Sequence, residues 1–71
     1  HGIRVNAVRP GLIDTEIHEA HGGQETLAKL APTVPMGRVG SAEEVAQVVG
    51  FLCGSASSYI DGALLDVSGG R

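Results

Sequence analysis

The sequence predicts an α/β fold in which a strand, a long connection, a helix and a second strand place two parallel strands in one open sheet. Three observations carry this. The run Ile3-Arg4-Val5-Asn6-Ala7-Val8 is short, rich in β-branched residues and closed by the turn signal Pro10-Gly11. Ser41-Ala42-Glu43-Glu44 has the spacing of a capping box and opens a segment in which Val45, Val48, Val49 and Leu52 recur at helical intervals. Ala63-Leu64-Leu65-Asp66-Val67 then reads as a second strand. Strand, helix, strand in that order is a right-handed crossover. Two strands and one helix cannot cover both faces of a sheet, so further strands and helices have to come from elsewhere.

The first strand does not alternate cleanly, and both its faces are expected to meet apolar neighbours, as in a parallel sheet covered by helices. Gly2, just before it, fits the residue that ends a preceding helix. Asn6 is read as a buried amide that satisfies loose backbone groups. The stretch Asn6 to Thr15 is the centre of the chain. Pro10 has no N–H to continue a ladder and Gly11 no Cβ, so the strand halts and a ligand can approach the backbone. In open parallel sheets ligands sit at the carboxyl ends of the strands, where this turn lies.

Beyond it, Asp14 or Thr15 caps a short helical turn through Glu16 to Ala20. His21-Gly22-Gly23 breaks that turn, and Gln24 to Ala31 forms a second short helix ended by Pro32 and Pro35. Two short helices around a Gly-Gly joint suit a hinged lid, with a plain surface connection as the other reading. In the helix that starts after Ser41, the valine stripe is expected to be buried, with Cys53 beside it as a small hydrophobe. Gly54 and Ser55 end the helix, turns follow at Ser57-Ser58-Tyr59 and Asp61-Gly62, and Ser68-Gly69-Gly70-Arg71 is read as a flexible tail.

With 71 residues the chain makes at most one small domain, and a domain of this size buries only about 60% of its unfolded surface. A formal charge of −3 provides no basic stripe, which argues against nucleic acid as a partner. The apolar run around Val45 to Cys53, interrupted by Gln47 and Gly50, falls short of the ~20 residues that span a bilayer, so no membrane association is expected. No secretory signal is visible and the single cysteine forms no internal disulfide, so a soluble, cytoplasmic protein is expected. His1-Gly2 leads straight into a strand, so the segment is read as the end of something longer.

The chain resembles the C-terminal portion of the short-chain dehydrogenase/reductases. The resemblance rests on Gly2-Ile3-Arg4-Val5-Asn6-Ala7-Val8 followed by Pro10-Gly11-Leu12-Ile13-Asp14-Thr15, and continues through Pro35-Met36-Gly37-Arg38, Glu43-Glu44-Val45-Ala46, Phe51-Leu52, Ser58-Tyr59-Ile60-Asp61-Gly62 and Gly69-Gly70. It is most similar to bacterial members of the glucose dehydrogenase-like and 3-oxoacyl-reductase-like kind. The resemblance implies the C-terminal β-α-β part of a Rossmann-type doubly wound parallel sheet, incomplete on its own. It also implies an NAD(P)-dependent oxidoreductase that interconverts a carbonyl and an alcohol by hydride transfer, with NADP slightly favoured over NAD. Residues 1–15 then form a strand and nicotinamide-clamp turn, 16–35 a substrate lid, 41–54 a helix and 63–67 the last strand. Pro10, Gly11, Leu12, Ile13 and Thr15 are the implied cofactor-binding residues: Pro10-Gly11 beside the nicotinamide ring, the backbone of Ile13 on its carboxamide, and the Thr15 hydroxyl on the carboxamide or the pyrophosphate. Ile17, His18 and His21 are the implied lid residues near substrate. The helix and last strand correspond to surfaces through which family members form homotetramers. The missing N-terminal part of the same fold is the other implied partner.

The family's Gly-rich phosphate loop and its catalytic Ser, Tyr and Lys all precede this stretch. Tyr59 is the only tyrosine and no lysine follows it, so no catalytic residue is assigned and Tyr59 is read as a packing residue. Ser68 stands where the family usually has Asp. His18 and His21 lie three apart, but with Gly22-Gly23 adjacent they are read as substrate contacts or solvated lid residues and no metal site is assigned. Arg38 is expected to tie loop carbonyls or an acidic residue together, with phosphate binding as the other reading. Arg9 either touches substrate at the mouth of the site or closes a salt bridge. A function of another class stays open, a catalytically inactive module acting only in subunit assembly, and so does a self-standing small binding protein.

Overall fold

The computed structural model describes residues 2–15 and 23–71. Within them the chain forms β1 (Ala7–Pro10), β2 (Ile13–Asp14), α1 (Gly23–Leu30), β3 (Gly40–Ser41), α2 (Ala42–Cys53) and β4 (Leu64–Val67), with single 3-10 turns at Ala31–Thr33 and Ser55–Ser57. The strands make two parallel pairs. β1 lies on β4 in the register Ala7↔Leu64 to Pro10↔Val67, and β2 lies on β3 with Ile13↔Gly40 and Asp14↔Ser41.

The first strand starts later and ends later than its β-branched run predicts. At Val5 the place of a neighbouring backbone carbonyl is taken by the Asp61 side chain, whose Oδ1 accepts the Val5 N–H at 2.9 Å. Regular pairing therefore begins at Ala7, whose N–H reaches the Ala63 carbonyl at 2.9 Å. Pro10 does not halt the strand. Ala7 and Gly11 both donate toward β4, so the odd-numbered residues face that strand, and the N–H that Pro10 lacks belongs to the opposite edge.

Asn6 satisfies backbone groups as the sequence suggests, although it is half-buried rather than buried. Its Nδ2 donates to the Ile60 carbonyl at 3.1 Å and its Oδ1 accepts the Ala63 N–H at 2.9 Å. Arg4 adds a second stitch, donating to the carbonyls of Ile60 and Leu52 at 3.0 Å and of Gly54 at 3.5 Å. Two of these belong to the C-terminal end of α2, where carbonyls lack helical partners and a cation is favoured.

Helix α2 begins as its capping box dictates. The Ser41 hydroxyl accepts the Glu44 N–H at 3.2 Å, and the Glu44 carboxylate accepts the Ser41 N–H at 3.0 Å. The helix stops at Cys53, with Gly54 as its C-cap. It packs on the face of the β1–β4 pair that carries the half-buried Val8, Leu65 and Val67. The opposite face is open and holds Arg9, Asp66 and Leu64.

Burial is the main correction to the sequence reading. No residue of α2 is fully buried, Val49 is 43% exposed, Cys53 is exposed and Tyr59 is fully exposed. The helical stripe was legible, but one thin layer of sheet cannot bury it: the molecule measures 47 × 24 × 15 Å. Among the described residues the buried apolar core is Ile13, Leu27 and Val34. An open groove between β1 and α2 is lined by Val5, Val8, Val49, Leu52 and Cys53. Among the described residues no helix is long and apolar enough to cross a membrane.

Candidate functional site

The turn Gly11–Leu12 leaves the carboxyl end of β1 and enters β2, and three other segments converge on it. Gly11 donates to the Val67 carbonyl at 2.9 Å, so its amide is committed to β4. Its bare α-carbon faces Ser68: a Cβ placed there would lie 2.8 Å from the Ser68 Cβ and 2.9 Å from its Cα. The close approach that glycine permits at this position is thus to the chain's own terminal turn. The Leu12 carbonyl accepts the Gly40 N–H at 2.9 Å.

Ile13 is the position where the ladder geometry leaves polar groups over. In a parallel pair with Ile13 opposite Gly40 and Gly40 donating to Leu12, the bonds from β2 come from the residues flanking Ile13. The N–H and C=O of Ile13 itself point to the edge away from β3, a donor and an acceptor side by side. The side chain is buried against β3, where its Cδ1 would meet any Cβ added to Gly40 at 2.9 Å. Packing of the side chain therefore fixes the direction of the peptide groups. Thr15 follows, half-buried, just past the end of β2.

The β2–β3 pair was not legible in the sequence, because two-residue strands carry no periodicity. The terminal turn was misread as a flexible tail. Gly69 and Gly70 sit at φ +65° and +100°, conformations open to glycine, and the Gly69 carbonyl accepts the Met36 N–H at 3.0 Å. Leu12, Ile13, Met36, Gly40, Val67 and Gly69 line a small cleft at this junction.

The connection between β2 and β3 is described from Gly23 onward. Gln24 donates from Nε2 to Asp14 Oδ1 at 3.1 Å, which ties the start of α1 to the end of β2. Ile17, His18 and His21, the expected lid residues, and the first short helix through Glu16 to Ala20 lie outside the described residues. Among the described residues no group of three or more His, Cys, Asp or Glu side chains is placed to hold a metal ion.

Both arginines singled out in the sequence are engaged in ion pairs. Arg9 closes a salt bridge with Asp66, its register partner on β4, with Nη2 to Oδ2 at 3.1 Å. That hydrogen bond and the charge beside it lower the Asp66 pKa and raise that of Arg9. Arg38 donates to both Glu44 carboxylate oxygens at 2.8 and 2.9 Å and to the Val39 carbonyl at 3.1 Å. With the Arg38 hydrogen bond and the Ser41 amide both favouring the ionised form, the Glu44 pKa falls from 4.5 to about 2.

A depressed folded-state pKa gives stability that is present above the unfolded value and lost as pH drops through the folded one. The Glu44 contribution is therefore intact above about 4.5 and disappears toward about 2. Because both side chains are roughly half exposed, salt is expected to weaken the effect. A Glu44→Gln variant, unfolded in urea at a series of pH values, is expected to show a shallower acid loss over that window than the parent. Identical slopes would exclude the assignment.

The whole chain, residues 1–71, matches the family described as Enoyl-(Acyl carrier protein) reductase. This chain is a short-chain dehydrogenase/reductase segment. It is 44% identical over 70 residues to the uncharacterized oxidoreductase YgfF of Escherichia coli, covering 99% of this chain and 28% of that protein. The crystal structure of a 3-oxoacyl-(acyl-carrier protein) reductase from Brucella melitensis superposes with a TM-score of 0.85 at 40% identity, over 97% of this chain and 25% of that one. The structure of YwfH, described as an NADPH-dependent reductase involved in bacilysin biosynthesis, superposes at 0.83 with 36% identity, over 97% and 30% of the two chains. The chain thus spans between a quarter and a third of the length of these relatives. The short-chain dehydrogenase/reductase neighbours have the Rossmann fold, and the parallel strands and helices of this chain superpose on a part of it.

Proposed function

We propose that the protein to which this segment belongs exchanges hydride between a nicotinamide dinucleotide and a small carbonyl or alcohol substrate, with NADP(H) preferred over NAD(H). The carrying observation is that the register with β3 turns the N–H and C=O of Ile13 to the edge away from that strand, beyond the carboxyl end of β1, with their direction fixed by a buried side chain. A carboxamide presents one acceptor and two donors, and a neighbouring N–H and C=O match it with two bonds that stop it rotating. The residues fit the group. Ile13 would hold the carboxamide through its backbone, and the Thr15 hydroxyl would add a contact to the carboxamide or the pyrophosphate. Pro10, Gly11 and Leu12 set the turn that aims Ile13. What the dinucleotide supplies when bound is a hydride equivalent.

The preference for NADP(H) is supported by the NADPH dependence stated for YwfH. Proton transfer at the carbonyl is assigned to the remainder of the protein: Tyr59 stands fully exposed on a turn remote in sequence from Ile13, with no lysine after it. The connection from Gly23 to Pro35 is assigned to covering the substrate side. The exposed Val49, Phe51 and Leu64 are assigned to subunit contacts in a homotetramer.

The test uses the full-length protein and the fluorescence of NADPH and NADH on titration. NADPH is expected to bind more tightly, and Thr15→Val is expected to weaken it about 3- to 10-fold through loss of one hydrogen bond. Absence of binding by either dinucleotide would overturn the reading.

A further inference from the structure

We infer that the terminal turn Ser68–Gly70 is a positioning element that couples the base of the connection, Val34–Met36, to the backbone edge of Ile13, so that loosening one moves the other. The inference rests on the dinucleotide reading of Ile13 for its binding consequence, and on contacts alone for the coupling itself. One side of the turn meets the clamp: Ser68 lies against the bare α-carbon of Gly11, and Val67, just before it, accepts the Gly11 N–H. The other side meets the connection. A Cβ on Gly69 would lie 2.7 Å from Val34 Cγ1, and one on Gly70 would lie 3.0 Å from Pro35 Cβ. The Gly69 carbonyl receives the Met36 N–H at 3.0 Å, and Gly37 closes the loop onto the Val34 carbonyl at 2.7 Å.

Val34 and Ile13 are two of the three buried apolar residues among the described residues. The turn therefore lies between two places where apolar side chains are buried. At the points of direct approach, Ser68 on Gly11, Gly69 on Val34 and Gly70 on Pro35, not even a methyl group fits between the segments without a shift, and such contacts transmit displacement rather than absorb it. A shift of the connection's base presses on Gly69, and the rigid turn carries it to Gly11 and on to Ile13.

The experiment compares two alanine variants of the full-length protein. Gly69→Ala and Gly62→Ala introduce the same residue at almost the same backbone angle, φ +65° and +74°, so their backbone strain is matched. Only the first meets a neighbour, since a Cβ on Gly62 has nothing within 4 Å. Amide hydrogen exchange is read across the segments 10–14 and 34–37, through the N–H groups of residues 11–14 and of Val34, Met36 and Gly37, and NADPH affinity by fluorescence.

Gly69→Ala is expected to accelerate exchange in both segments and weaken NADPH about fivefold or more, the usual scale of coupling between sites. Gly62→Ala is expected to leave both readings within about twofold of the parent, a shift of under half a kcal/mol. Val34→Ala in the Gly69→Ala background removes the colliding methyl and is expected to restore slow exchange at residues 10–14. Should Gly69→Ala fold poorly, Val34→Ala alone is expected to speed exchange in both segments. Faster exchange confined to residues 34–37 would overturn the coupling. Should the parent not bind NADPH, the dinucleotide reading falls, and the exchange comparison still decides the coupling.

Discussion

A Gly11→Ala variant of the full-length protein is expected to lose about 1–3 kcal/mol of stability, the usual cost of forcing an extra carbon into a filled space. Gly11 is not among the glycines with positive φ, so backbone strain plays no part and the cost is steric. The obstructing atoms are the Cβ and Cα of Ser68 at 2.8 and 2.9 Å. A flexible side-chain end would swing away, whereas a Cα moves only if the backbone does. The backbone there is pinned by the bond from Gly11 to Val67, so relief requires breaking the end of the β1–β4 ladder. Gly50→Ala provides the opposite sign: it lies inside α2 with nothing within 4 Å of its would-be Cβ, and alanine is favoured in a helix by up to about 1 kcal/mol. Urea midpoints of the two variants measure the difference. A Gly11→Ala protein as stable as Gly50→Ala would show that the terminal turn does not press on the clamp.

The second large effect is expected at Arg4. Its guanidinium serves carbonyls of three residues, Leu52 and Gly54 at the end of α2 and Ile60 ahead of β4, separated from it by about fifty positions in sequence. Arg4→Leu keeps an apolar stem and removes every donor. Partly buried carbonyls then lose charged partners, worth about 1.5–3 kcal/mol for a bond to a charged group. Arg4→Lys retains the charge but not the planar fork that reaches separate carbonyls, and an intermediate loss is expected. Thermal unfolding of the full-length variants orders them parent, Lys, Leu. Equal stability of all three would mean that solvent serves these carbonyls as well as Arg4 does.

How far the sequence spoke depends on how local each signal is. The cap of α2 needs only Ser41 and Glu44, three residues apart, and both halves of the box are present. The parallel β1–β4 pair followed from element order. By contrast, the partners of Arg4 and Asn6 lie 48 to 57 residues away, beyond the reach of any motif. The packing of Gly69 on Val34 was equally hidden, because Gly-Gly near a terminus has the composition of a loose end. Cys53 and Tyr59 failed for another reason. Periodicity and flanking turns indicate how a side chain is oriented, but exposure depends on what lies opposite, and within this chain little lies there. Of the candidate site, the turn from Pro10 to Thr15 was legible as a stretch, while the ladder that turns the Ile13 peptide groups away from β3 needed the β2–β3 pair to be seen.

Pro10 has one more consequence. Along the β1 edge that faces away from β4, Val8 offers a donor and Pro10 offers none, so any strand laid there can be held by an amide at position 8 but not two residues further on. A strand paired there would keep the Pro10 carbonyl as an acceptor but have no donor at that position, so its pairing would be weaker toward the end of β1.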